Sequence, residues 1–348
     1  MEFGIFHEFA RRAGQADAEA FAESMAIVDA SEAWGLHVVW LAELHFSGRS
    51  VLSSPVAVAA AIAGRTERIL IGPAVQVLPL GNPLRLAEEW ATIDQLSRGR
   101  VIFGVGRSGF ARTYEAYGVP YAESRDRFAE ALEVIKRAWT QETFSFEGAF
   151  YRYQDVGVTP RPYRQPHPPI RVAAVTPDTF PMLGRQGYPV YGAVRQGTLS
   201  ELAPDLTAYR AAYDAAGHAG HGRVYLRIPI YVADTTGAAL AEPRDSIMQF
   251  YREMARQLTE SAGQAGSRAT DLRAERGAAL ANLTFEQACT EKVVVGTPEM
   301  VISRLRELQA ELGLDGVLAE LNCGGQIPHR QVMRSLELLC KEVMPAFA

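Results

Sequence analysis

Ile93-Asp94-Gln95-Leu96-Ser97-Arg98-Gly99-Arg100-Val101-Ile102-Phe103-Gly104-Val105-Gly106-Arg107 is the stretch on which the fold of this chain turns. Its second half, Val101 to Val105, is apolar throughout, without the polar alternation of a strand that faces water on one side. Helical spacing of apolar residues flanks it, over Leu84–Leu96 before and Ser124–Trp139 after. A short strand buried on both faces and set between helices is a unit of a parallel α/β sheet.

The same unit recurs in both directions. Glu2–Phe6 reads as a strand and Ala18–Trp34 as a helix, followed by strand-like Val38–Leu41, a helical stretch over Pro55–Arg65, and the strands Ile69–Ile71 and Val75–Leu78. Further strands are expected at Ile170–Val175, Val190–Ala193, Leu226–Val232 and Gly316–Leu321. An open doubly wound sheet would give the same alternation, but about eight units is the number that closes a (β/α)₈ TIM barrel. Pattern alone leaves both architectures open; a single barrel domain over 1–348, with insertions after the early strands, is the one the count favours. Two stretches break the rhythm. The aromatic- and proline-rich segment 144–169 reads as an extended excursion that begins with a hairpin over Phe144–Tyr153. The segment 259–282, rich in Gly, Ala, Ser and charge, reads as a mobile loop or a loosely held helix, and is the candidate lid.

Composition narrows the class. Of 348 residues, 48% are apolar and 22% charged, as in ordinary globular proteins, which excludes disordered and fibrous chains. The net charge of -5 is spread without a basic block, so neither nucleic acid nor an anionic membrane is expected as a partner. The stretch Met1–Arg12 lacks a signal-like apolar run and no window approaches the ~20 apolar residues of a membrane span. Cys289, Cys323 and Cys340 form no CxxC or Cys/His cluster, so neither a disulfide framework nor a metal site is predicted. A cytoplasmic location is the expectation.

Several residues stand where chemistry is placed in a barrel, at the carboxyl ends of strands. Glu43 and His45 follow Val38–Leu41 directly, and a histidine titrating near neutrality suits proton transfer. Glu320 ends the last strand. Arg107 and Arg125 offer planar donor forks that suit phosphate oxygens. The run Gly104-Val105-Gly106-Arg107-Ser108-Gly109 meets the GxGxxG spacing without a convincing helix start. Singly, each has an ordinary alternative: a tight turn, a packed histidine, a solvated arginine.

Order and spacing together resemble the bacterial-luciferase-like monooxygenases nearly end to end. The likeness is carried by Met1–Phe6, Val39–Phe46 (VWLAELHF), Val77-Leu78-Pro79, Asn82–Glu89 (NPLRLAEE), Ile93–Arg100 (IDQLSRGR) running into FGVGR, Val295–Glu299 (VGTPE), Gly324-Gly325 and Glu342–Pro345 (EVMP). The resemblance implies a barrel with reduced FMN across its strand ends. Arg107, Arg125, Thr176 and Thr179 would hold the phosphate, Phe6 and Gly106 would approach the ring system, and Ala74-Val75 matches a non-prolyl cis peptide beneath it. Chemistry would run through a C4a-(hydro)peroxyflavin formed with O₂, on a small organic substrate, aldehyde- or ketone-like or apolar. A separate reductase would supply the flavin, and a homodimer is the family habit. His45, Glu43 and His7 are the expected catalytic groups.

The chain departs from luciferase at three places. Leu44 replaces the first histidine of its Glu-His-His-Phe run, Val175 replaces an acidic residue of the phosphate loop, and Gly106 replaces a cysteine, which is expected to leave room over the ring. Loss of that histidine also marks luciferase's accessory chain, so a non-catalytic partner subunit is an alternative; retention of Arg107 and Arg125 speaks against it. An F420-dependent oxidoreductase is a second alternative, but no extra basic cluster is present for its polyglutamate tail. Phe110, Tyr114, Tyr117, Tyr191 and Tyr231 suggest a pocket that tolerates apolar or aromatic groups.

Overall fold

The computed structural model describes residues 1–194, 197–261 and 270–348. In chain order, β1 (Glu2–His7), α1 (Asp17–Ala33), β2 (Val38–Leu41) and α2 (Pro55–Ala63) lead into β3 (Leu70–Pro73), β4 (Gln76–Val77) and α3 (Pro83–Leu96). Next come β5 (Phe103–Gly106), α4 (Ala111–Ala116), α5 (Ser124–Thr140), a hairpin of β6 (Phe144–Glu147) and β7 (Arg152–Val156), β8 (Ile170–Ala173), α6 (Thr179–Gln186), β9 (Val190–Ala193) and α7 (Leu199–Ala215). The chain ends with β10 (Val224–Val232), α8 (Thr236–Ala241), α9 (Arg244–Ser261), α10 (Thr270–Ala281), α11 (Phe285–Glu291), β11 (Val294–Gly296), α12 (Pro298–Leu312), β12 (Gly316–Glu320) and α13 (His329–Leu338).

Among the described residues, strands pair in the order β3-β2-β1-β12-β10-β9-β8-β5-β4, with β11 added beside β10. Every pairing in this path is parallel. β3 and β4 are successive pieces of one run, so the path returns to its start, and Ile71 also pairs in parallel with Val101 just ahead of β5. The wall is the expected TIM-barrel-like fold. No described helix is long and apolar enough to cross a membrane.

Strand alternation divides the core in two. On β1, Phe3 and Ile5 face the helix layer, where they join the large cluster with Val28, Ile62 and Trp90. Phe6 turns inward with Val38, Trp40, Ile102, Tyr191, Tyr225 and Leu318 to fill the barrel. Trp40 is fully buried there, and Gly72 makes room for it: a Cβ at Gly72 would lie 2.6 Å from Trp40 Cζ3 and 2.3 Å from the Ile102 carbonyl. At the amino-terminal floor, Arg171 on β8 donates to both carboxylate oxygens of Glu2 on β1, at 2.7 and 2.8 Å, and lies 3.6 Å from the Tyr225 ring centroid.

One expectation is corrected and another is narrowed. The strand expected over Val75–Leu78 ends at Val77, and Leu78–Leu80 is a 3₁₀ turn. Pro79 cannot donate to a ladder, and Asn82 Oδ1 accepts from Leu84 and Arg85 to start α3 at once. The segment 259–282, expected as a mobile loop or a loosely held helix, takes the second form at both ends: α9 reaches Ser261 and α10 covers Thr270–Ala281, while 262–269 lie outside the described residues. α10 packs on α9 through Gly277, whose Cβ position is 2.7 Å from Thr259 Oγ1, a small-residue contact that gives no apolar stripe to read.

Candidate active site

The carboxyl ends of β1, β2, β3, β5, β8 and β12 converge on one mouth of the barrel, and the expected residues can be located there one by one. Glu43 leaves β2 and is pinned across to β4: its Oε2 accepts from Gln76 Nε2 at 2.6 Å and from the Val77 backbone at 2.7 Å. Gln76 is held in turn by Trp90 Nε1 at 3.0 Å. The other oxygen, Oε1, is 2.9 Å from His45 Nε2, and Tyr117's hydroxyl is 3.1 Å from His45 Nδ1. An acceptor at Nε2 favours the tautomer protonated there, which leaves Nδ1 to accept from Tyr117. Leu44 packs against the barrel interior. Phe46 and Tyr117 stand exposed beside His45, at 62% and 47%.

Between β3 and β4, the Ala74–Val75 peptide is cis. Gly106, at the end of β5, lies directly against it: a Cβ on Gly106 would come 2.5 Å from Val75 Cγ2. The room expected from glycine in place of cysteine is thus taken by the Val75 side chain.

Arg107 follows Gly106, and its Nη1 is 3.3 Å from Ser124 Oγ, the first residue of α5. Its carbonyl accepts from the fully buried Tyr114 hydroxyl, whose pKa burial raises above the usual phenol value. The neighbouring Arg125 forms a 2.8 Å bridge to Asp178, just before α6. Thr176 donates to the same carboxylate at 2.6 Å and lies 2.8 Å from Thr179 Oγ1. The Thr176 bond, aided by Arg125 and opposed by partial burial, holds Asp178 below the usual carboxylate range. Two guanidiniums, three hydroxyls and the first turns of two helices, α5 and α6, are thereby assembled from three loops. This donor set suits the oxygens of a phosphate ester, for which Asp178 serves as the internal counter-ion.

His7 lies apart from this assembly. By strand alternation it faces the helix layer, with Nε2 3.2 Å from the Ser24 carbonyl and its ring 4.7 Å from that of Phe9. Burial is the main cause that pushes its pKa down to about 4. The expectation that His7 shares proton handling with His45 is not met by this placement.

Sequence reasoning passed over the partners. Ser124, Asp178, Gln76, Glu8, Arg49 and Arg227 carry no local motif and gain meaning only through contact. Of the aromatic set, Tyr191 fills the barrel, Tyr114 lies under Arg107, Tyr117 meets His45, and Tyr231 donates to Glu242 at 2.5 Å on the helix side. Phe110 precedes α4. Among the described residues, no group of three or more metal-ligating side chains occurs.

Known proteins resemble this chain over its whole length. Limonene 1,2-monooxygenase of Rhodococcus erythropolis is 28% identical over 353 residues, covering 100% of this chain and 87% of that one. The oxygenase component of flavin-dependent trigonelline monooxygenase from Acinetobacter baylyi is 25% identical, covering 100% and 96%. The FMN complex of the oxygenating constituent of 3,6-diketocamphane monooxygenase from Pseudomonas putida superposes with a TM-score of 0.82 at 20% identity, covering 99% and 98%, which speaks to the fold. The family model of the luciferase-like monooxygenases matches residues 1–316, and the chain belongs to that family.

Proposed function

We propose that this chain is the oxygenase of a two-component system, which takes reduced FMN from a separate reductase and uses O₂ to oxygenate a small organic substrate. The observation that carries the reading is the donor cluster of Arg107, Ser124, Arg125, Thr176 and Thr179 beside the Ala74–Val75 peptide at the barrel mouth. In it Arg107 and Arg125 would grip the cofactor phosphate and Thr176 and Thr179 would add hydroxyl donors, while Phe6, Ala74, Val75 and Gly106 would border the ring system. Bound there, the flavin supplies the activation of O₂.

The chain's own residues would do the rest. Val75, Leu44 and the interior cluster keep the ring side dry, which limits unproductive loss of peroxide. The chain Glu43–His45–Tyr117 would hold a proton at His45, with Glu43 fixing the imidazole from behind. The name of the trigonelline relative, an oxygenase component, supports a separate reductase. A homodimer and a cytoplasmic location belong to the same proposal. The helical pair α9–α10 would act as the cover: Arg273 Nη2 on α10 reaches Tyr121's hydroxyl at 3.2 Å and Arg276 reaches Glu201 at 3.5 Å, linking it to the 3₁₀ turn before α5 and to the first turn of α7.

Anaerobic titration with reduced FMN and with reduced F420, on the wild type and on Arg107→Ala, tests the reading. Tight FMN binding that weakens on the order of tenfold to a hundredfold in the variant supports it, in line with loss of a charge-assisted bond. Binding of F420 in preference to FMN would move the chain to the hydride-transferring relatives, and binding of neither to a partner-subunit role.

A further inference from the structure

Asp178, the residue before α6, accepts on both of its carboxylate oxygens: Thr176 donates to Oδ1 at 2.6 Å and Arg125 Nη2 to Oδ2 at 2.8 Å. A hydroxyl has one hydrogen to give. Since Thr176 gives its own to Asp178, Thr179 is the donor and Thr176 the acceptor in the 2.8 Å contact between the two threonines. The direction of the chain is thereby fixed. It runs from Thr179 to Thr176 to Asp178, and Arg125 meets the carboxylate from the other side.

These are the same hydrogens that a phosphate at the cluster would call on. A phosphate oxygen can receive the Thr176 hydrogen only if Asp178 loses it, and the Thr179 hydrogen only if Thr176 loses it. Charge acts in the same direction. A phosphate monoester carries about −1.5 to −2 charges near neutral pH, and an ionised carboxylate on the same guanidinium is a like charge at short range. The Asp178 side chain is 56% exposed, so it can swing into water once its donors are taken, and solvent screens what repulsion is left. The competition is therefore moderate: enough to weaken a phosphate, not to exclude it.

We propose that Asp178 competes with the cofactor phosphate for Arg125, Thr176 and Thr179, and so sets how tightly the flavin is held. This rests on the oxygenase reading and deepens it. An oxygenase fed by a separate reductase has to exchange its flavin, and a carboxylate that reclaims the phosphate donors keeps the hold loose enough for exchange. Asp178 acts through these donors and touches no reacting atom; it is an affinity-setting residue.

Two variants remove the competing charge while leaving a residue that suits the start of a helix, Asp178→Asn and Asp178→Ser. Dissociation constants are measured calorimetrically for FMN, for riboflavin, which lacks the phosphate, and for inorganic phosphate, on the wild type and on whichever variants keep its unfolding midpoint. FMN and inorganic phosphate are expected to bind on the order of tenfold tighter in the variants, as release of donors from a charged acceptor provides, with riboflavin unchanged. FMN affinity that is unchanged or weaker in a folded variant overturns the proposal, since Asp178 would then only hold Arg125 in place. Equal tightening of FMN and riboflavin also overturns it, because the effect would not pass through the phosphate. The oxygenase reading is judged separately. If the wild type binds inorganic phosphate but not FMN, that reading fails while the phosphate ratio still decides the role of Asp178; if FMN binds and the ratio is flat, the reading stands and the proposal falls. Binding of neither refutes both.

Discussion

At the scale of single residues, the mouth of this barrel shows how neighbours assign roles to side chains that look alike in the sequence. His7 and His45 both sit at strand ends. One turns to the helix layer and is kept neutral by burial; the other is held between Glu43 and Tyr117. The difference is measurable through stability. His7 titrates at about 4 in the folded chain against the ordinary 6.5, so the unfolded chain takes up the proton first as pH falls. The folded state is therefore at full advantage above pH 6.5 and loses stability between there and about 4, by up to about 3 kcal/mol. Urea unfolding of wild type and His7→Phe at pH 7 and pH 5 should show a smaller acid-side loss in the variant. An equal loss in both would mean that another group governs the acid limb.

Single elements are specified most tightly where the barrel interior leaves no slack. β3 runs past Trp40 at van der Waals distance, and Gly72 is the residue that permits it. Gly72→Ala would drive a methyl into the indole and into the Ile102 carbonyl, neither of which can retreat from a closed wall. A loss of roughly 1–3 kcal/mol or more in denaturant unfolding is expected, the usual range for overpacking. A variant as stable as the parent would show that β3 can shift outward. Just past the end of β3, Val75 fills the place over Gly106 that the sequence alone would have left open. The helical pair α9–α10 could not be told from a loop for the opposite reason: its contact uses Gly277 and Thr259, and small residues at a close helix crossing produce no hydrophobic period.

The molecule as a whole is tied together by side chains that meet across the barrel. Glu2 and Arg171 are 169 residues apart in sequence and joined by two bonds at the floor. Burial acts to lower the pKa of Arg171, but the Glu2 bridge outweighs it and leaves the value above the ordinary one. Glu2→Gln should cost roughly 3–5 kcal/mol, since it leaves a buried guanidinium without its counter-charge. The paired replacement Glu2→Leu with Arg171→Met should recover most of that loss. Thermal and urea unfolding of the two variants decide the matter: if the paired replacement is as damaging as the single one, the bridge is needed for closure itself and not merely for charge balance.

Much of the architecture was legible because it depends on local pattern. Runs such as Val38–Leu41, Val190–Ala193 and Gly316–Glu320 lack polar alternation, since a barrel strand is covered on both faces, and the intervening helices carry apolar residues at helical spacing. Family membership was legible too, because a motif such as Ile93–Arg100 is contiguous. Which strand-end residues share a surface was not, because contact depends on closure. Arg107 acquires Ser124, and Arg125 acquires Asp178, only when β5 and β8 lie side by side. Glu320, a lone carboxylate in sequence, acquires Arg227 as its partner only when β10 lies beside β12. Periodicity records which face of a strand is covered; the partner that covers it is chosen by the three-dimensional register of the barrel.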